Sequence, residues 1–203
     1  MKKFRVAVVG IGMVGSELVK TLEQRNFPKE SIKILARSSR TEKIGAREYE
    51  VVAASPEAFE GVDIAFFAGT EGAKGASQQY GWEAVKKGTV VIDNGDDFRM
   101  DPRVPLVVPE VNPEALQDHP GFVANPNCST IQMVMAMAPL HALANIRRVV
   151  VSTYQAVSGT GSAAVAELAA QVESFNTDAT PRPSVYPHQI FSNLIPHIGG
   201  LKD

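Results

Sequence analysis

The chain has 203 residues, with 20 Lys and Arg against 22 Asp and Glu, for a net charge of −2. That balance excludes the basic surplus of a nucleic-acid binder, and no apolar run reaches the ~20 residues that span a bilayer. The single cysteine excludes an internal disulfide and points to a reducing compartment. The expectation is a cytoplasmic globular protein that binds small molecules, with no nucleic-acid partner, no membrane partner and no metal.

The N-terminal "MKKFRVAVVG" begins with charge, but its apolar run is short and lacks a small-residue cleavage site, so it reads as a strand rather than a signal peptide. Within it, 4–10 is a continuous valine-rich run, the pattern of a strand buried on both faces. Residues 13–25 carry Val14, Leu18, Val19 and Leu22 at helical spacing. Short strands follow at 31–36 and 49–54, and Ser55 with Pro56 starts a single helical turn. A strand at 62–69 runs into a glycine, 71–87 reads as a helix interrupted by glycines, and 88–94 is a further strand. Strands alternating with helices predict a doubly wound, Rossmann-type α/β fold with a mostly parallel sheet.

After Asn94 the texture changes. Residues 96–116 are proline-rich and read as loop and edge structure. "GFVANPNC" is a strand entering a turn, 128–138 is a helix that Pro139 bends or stops, and 146–159 alternates like a strand of another sheet. Residues 162–175 are helical with Ser162 as a cap, and 176–203 are irregular. This organisation predicts a dinucleotide domain at 1–125 and, at 126–203, the first part of an α+β catalytic and dimerisation domain.

"GIGMVG" places Gly10, Gly12 and Gly15 as G-x-G-x-x-G between a strand and a helix. The first glycine permits the tight turn, the second admits a pyrophosphate to the backbone, and the third lets helix and strand pack closely. The alternative is a glycine turn that binds nothing. An NAD site places an acid about 20 residues beyond such a loop, to hold the ribose 2′-hydroxyl. Here the corresponding stretch is "ARSSRTEK", with Arg37, Ser38, Ser39 and Arg40. Guanidinium and hydroxyl groups suit a 2′-phosphate, so NADP is the expected cofactor; a solvated basic turn is the alternative.

Cys128 stands in "ANPNCSTIQM" at the predicted start of a helix, where the dipole and free N–H groups favour a thiolate. Asn127 is placed to stabilise an oxyanion. The competing reading is a small buried residue. Arg99 follows the last strand of the nucleotide domain and reads either as an anion ligand or as an ion-pair partner of Asp96, Asp97 or Asp101. Gln155 precedes a Ser-Gly loop containing Ser158 and Gly159.

"DFRMD", "VPLVVPEVNPEAL", "ANPNCSTIQMV" and "VVVSTYQAVSGTG" together resemble the aspartate-semialdehyde dehydrogenase family across most of residues 88–161. The resemblance implies NADPH-dependent reduction of L-4-aspartyl phosphate to L-aspartate 4-semialdehyde, with release of phosphate. It implies Cys128 as nucleophile, Arg99 and Asn127 on the phosphate, and Gln155 on the substrate. The implied cofactor site comprises Gly10, Ile11, Gly12, Met13, Val14, Gly15, Arg37, Ser38, Ser39, Arg40, Ala68, Gly69 and Asn94, with Ser158 and Gly159 beside the nicotinamide. It also implies a homodimer and a place in lysine, threonine and methionine biosynthesis.

The chain departs from the family in having one residue fewer in its glycine loop, and "DNGDDFRM" where "DNSSAFRM" is usual. Family chains continue past residue 203 and there supply a histidine base. His119, His141, His188 and His197 do not sit in that histidine's context, so the isolated chain is expected to be inactive or nearly so. A shortened, non-catalytic dinucleotide-binding paralogue is the competing reading.

Overall fold

A computed structural model describes residues 2–69, 75–175, 177 and 182–196. The valine-rich N-terminal run forms β1 (Phe4–Val9), flanked in parallel by β2 (Lys29–Ala36) and β5 (Ile64–Phe67). Successive side chains of β1 enter opposite cores. Val6 and Val8 join Val19 and Leu22 of α1 (Met13–Gln24), while Ala7 and Val9 join Ala84 of α2 (Ala76–Lys86). A strand apolar at every position is therefore covered on both faces, and the sheet is doubly wound.

β3 (Arg40–Ile44), β4 (Arg47–Ala53), β6 (Val90–Asp93) and β7 (Phe122–Ala124) complete a seven-stranded sheet in the order β3-β4-β2-β1-β5-β6-β7. All neighbours are parallel except the hairpin β3–β4. The sheet thus grows outward from β1 in both directions, and the carboxyl ends of β1, β5, β6 and β7 lie side by side. That edge carries the candidate site.

The stretch from Arg40, to which the sequence assigned no element, is β3: Arg40 and Lys43 are exposed, Ile44 is buried, and the strand pairs with β4. Three local expectations are corrected. α3 (Cys128–Ala144) continues through Pro139. Pro139 removes one donor, but Ala, Met and Leu on either side favour helix, and the helix ends at left-handed Asn145. Residues 146–156 are not a strand, because a ladder needs a partner and no described segment supplies one; Val150 is 80% exposed. A 3₁₀ turn at Val157–Thr160 leads into α4 (Ser162–Ser174), whose cap is Gly161 with Ser162 as its first residue.

The chain forms two compact units, residues 1–151 and 152–203. Among the described residues no helix is long and apolar enough to cross a membrane, and no group of three or more His, Cys, Asp or Glu is placed to hold a metal ion.

Candidate active site

The glycine loop joins β1 to α1. Gly10 has φ +92°, and a Cβ there would lie 2.5 Å from Gly69 Cα. A Cβ on Gly15 would lie 1.9 Å from the Gly10 carbonyl oxygen. These two glycines are required by packing alone. Gly12 differs: it caps α1, and a Cβ there would meet nothing within 4 Å. The open space stands at a helix N-terminus, where free N–H groups and the dipole favour a phosphate. The cradle therefore fits a dinucleotide. Ile11 is half-buried, and Met13 and Val14 expose apolar surface on the first turn. Ala68 donates its N–H to the Val9 carbonyl at 2.7 Å, which holds Ala68 and Gly69 against the loop.

At the end of β2, Arg37, Ser38, Ser39 and Arg40 are all exposed. Ser39 Oγ accepts from the Ala53 N–H at 3.0 Å, and Arg40 Nε pairs with Glu42 Oε2 at 2.8 Å.

The nucleophile candidate lies beyond β7. Cys128 is exposed and is the first residue of α3. Asn127 Oδ1 accepts from the N–H groups of Ser129 and Thr130 at 3.0 and 3.4 Å. This cap fixes the orientation of the amide, so its Nδ2 donors face away from the helix, available to an anion. Arg99 donates through Nε to the Asn125 carbonyl at 3.0 Å and through Nη2 to the Asn94 carbonyl at 2.9 Å. Neither bond uses Nη1. Asp101, one of the anticipated partners, pairs instead with Arg103 at 2.6 Å. Unit one thus brings Asn94, Arg99, Asn127 and Cys128 to adjoining carboxyl ends of β6 and β7.

Two residues there escaped the sequence reading. Asp93 is fully buried; its Oδ1 accepts from Ser77 Oγ at 2.7 Å and from the Gly95 N–H at 2.9 Å. Desolvation pushes its carboxyl above the ordinary range, against those two hydrogen bonds. Asn125 bridges to Asn94, Nδ2 to Oδ1 at 2.8 Å. A polar residue ending an apolar strand was the only sequence signal for either.

In the second unit, Gln155 Oε1 accepts from Thr153 Oγ1 at 3.3 Å, and Ser158 and Gly159 lie in the turn before α4. Tyr186 Oη reaches Thr160 Oγ1 at 2.8 Å across that turn. Glu167 of α4 accepts from Ser184 and from the Val185 N–H, bonds that hold its carboxyl below the ordinary range. His119 and His141 use Nδ1 as acceptors for the Gly121 and Ile146 N–H groups. His141 also stands about 20 Å along α3 from Cys128, at 1.5 Å per residue. His188 is exposed, and His197 lies outside the described residues.

Residues 5–119 match the family described as "Semialdehyde dehydrogenase, NAD binding domain", and residues 137–203 match "Semialdehyde dehydrogenase, dimerisation domain". The chain is 47% identical to the aspartate-semialdehyde dehydrogenase of Aquifex aeolicus, over 96% of this chain and 59% of that one. It is 46% identical to that of Bacillus subtilis, over 98% of this chain and 60% of that one. Among solved structures, aspartate semialdehyde dehydrogenase II of Vibrio cholerae superimposes with TM-score 0.90 at 38% identity, covering 100% of this chain and 61% of that one. A structure of the same Vibrio enzyme "complexed with ASA" gives TM-score 0.91 at 37% identity, again over 100% and 61%. The chain therefore spans about three fifths of the length of these relatives.

Proposed function

The chain belongs to the aspartate-semialdehyde dehydrogenase family, and from that premise we propose that the protein it forms reduces L-4-aspartyl phosphate to L-aspartate 4-semialdehyde with NADPH, releasing phosphate. The observation that carries this reading is the gathering of Arg99, the oriented Asn127 amide and the exposed Cys128 thiol at the same sheet edge as a glycine loop with room for a phosphate. The complex of the Vibrio relative with ASA supports the same substrate class.

The residues divide the work as follows. Arg99, through Nη1, and Asn127, through Nδ2, hold the phosphate. The Cys128 thiolate attacks the acyl carbon; the C–S bond forms as the bond to the phosphate oxygen breaks, and phosphate departs with that bonding pair. Asn127 stabilises the oxyanion as it develops. A nicotinamide bound at the glycine loop would supply hydride to that thioester. The C–S bond then breaks, the semialdehyde leaves and the thiolate is restored. Gln155 orients the substrate, and Ser158 and Gly159 approach the nicotinamide. Arg37 and Ser38, with Arg40 and Ser39, receive the 2′-phosphate.

The protein acts as a homodimer in the pathway to lysine, threonine and methionine. The 203-residue chain by itself is expected to be inactive or nearly so, since none of its histidines is assigned as base. The test is phosphate-dependent formation of NADPH from L-aspartate 4-semialdehyde and NADP by the whole protein. Activity is expected from the native protein and none from Cys128→Ser. Full activity in Cys128→Ser overturns the thioester route, and equal rates with NAD and NADP overturn the 2′-phosphate reading.

A further inference from the structure

The strand β7 ends at Ala124, and the nucleophile stands four residues later at the head of a helix that has no buried residue. Within its unit, therefore, the helix body does not hold Cys128 against the sheet. The anchors lie upstream. Pro126 is buried and fixes one φ at about −65°. Asn125 supplies the rest. Its N–H donates to the Asp93 carbonyl at 2.7 Å, its Nδ2 donates to Asn94 Oδ1 at 2.8 Å, and its carbonyl accepts from Arg99 Nε at 3.0 Å.

Each partner is itself fixed. Asn94 donates both N–H and Nδ2 to the Phe67 carbonyl, at 2.9 and 3.1 Å, beside Ala68 and Gly69. Arg99 spans from Asn125 to the Asn94 carbonyl. The buried Asp93 carboxylate holds the Asn94–Gly95 turn through the Gly95 N–H and ties it to Ser77 on α2.

We infer that Asn125 is a positioning residue: its side-chain bond to Asn94, together with the carbonyl it offers Arg99, holds the phosphate-binding arginine and the nucleophile's loop in one register. The inference rests on Cys128 and Arg99 having the roles proposed above. An asparagine is suited to the position because the bond needs a neutral donor. An aspartate of the same size loses that donor, turns its oxygens on Asn94 Oδ1 and draws the Arg99 guanidinium onto itself.

The test compares alkylation of Cys128 in the purified chain by iodoacetate and by iodoacetamide. The first reagent carries a negative charge for Arg99 to attract and the second does not, so the ratio of rates reads the register of Arg99 and Cys128 rather than stability. Arg99→Ala sets the floor, expected about tenfold below native from loss of local steering. Asn125→Ala and the isosteric Asn125→Asp are expected to fall most of the way to that floor. Asn94→Ala combined with Asn125→Ala is expected to fall no further than Asn94→Ala alone, because the Asn94 variant already removes the bond to Asn125 along with its own Nδ2 bond to the Phe67 carbonyl. A native ratio in both Asn125 variants, with native circular dichroism, overturns the inference; a role limited to stability would lower the melting temperature and leave the ratio untouched. If Arg99→Ala leaves the ratio unchanged, the anion role of Arg99 is what fails. Asn125 is then decided by amide hydrogen exchange at Asn127 to Thr130, which rises in Asn125→Ala if the residue positions the loop and stays native if it does not.

Discussion

Gly12 and Gly15 stand three residues apart in one loop, yet the same substitution meets different surroundings at each. A methyl at Gly15 would collide with the Gly10 carbonyl at 1.9 Å, which only backbone movement relieves. Gly15→Ala is expected to destabilise the chain by about 1–3 kcal/mol, as overpacking does, seen as a lower urea midpoint. A methyl at Gly12 meets nothing. Gly12→Ala is expected to leave stability within about 0.5 kcal/mol of native. It should nevertheless abolish NADPH binding in a fluorescence titration, because the methyl occupies the space a phosphate needs. Native NADPH affinity in Gly12→Ala would remove the loop from the cofactor site. At the end of β2, Arg40 already pairs with Glu42. Arg37→Ala and Arg40→Ala are each expected to lower the NADPH-over-NADH preference by about 1.5–3 kcal/mol, as loss of a charge-assisted bond does. Both arginines stand in the sequence as candidate phosphate ligands; the Arg40–Glu42 pair was not legible there, because Glu42 reaches Arg40 only through the geometry of β3.

The elements were legible wherever one period ran long enough. β1, α1 and α4 follow from their own residues. β3 and residues 146–156 did not, since a strand is defined by its partner, and the alternation that predicts one says nothing of whether a partner exists. One long-range tie can be tested directly. Arg5, near the start of β1, holds Asp63, just before β5, through Nε at 3.1 Å, Nη2 at 3.0 Å and its own N–H at 2.7 Å. These bonds draw the Asp63 carboxyl down to about 2. The folded state thus holds this carboxylate ionised more strongly than the unfolded chain does. Its contribution to stability is present above about pH 4, the unfolded value for an aspartate, and is lost as the pH falls toward 2. Asp63→Asn is expected to flatten the decline of the urea midpoint between pH 4 and pH 2. A decline equal to native would show that the pair carries none of the acid sensitivity. At the head of α3, Asn127→Ala removes the cap and is expected to cost about 1 kcal/mol. The loss should appear as faster amide exchange at Ser129 and Thr130.

Across the first unit, one aromatic cluster joins helix, loop and strand. Phe122 of β7 lies 4.7 Å from Phe98 and 5.0 Å from Trp82, centroid to centroid. Gly81 gives it room: a Cβ there would stand 2.5 Å from the Phe122 ring. The cluster sits beneath the strand that leads to Cys128, so core and site share a support. Phe122→Ala is expected to cost about 3–5 kcal/mol, read from urea unfolding. Local chemistry in the sequence was enough to predict a parallel, doubly covered sheet, a glycine loop fit for a dinucleotide and a cysteine at a helix head. Each of these is written in neighbouring residues through a period, a required φ or a cap. Only the tertiary structure decided that Arg40 joins a hairpin, that 146–156 finds no partner among the described residues, and that Arg99 grips the carbonyls of residues 94 and 125. Those outcomes depend on which segments meet in space, whether across the β3–β4 hairpin or over the 26 residues from Arg99 to Asn125, and a one-dimensional pattern does not carry that choice of partner.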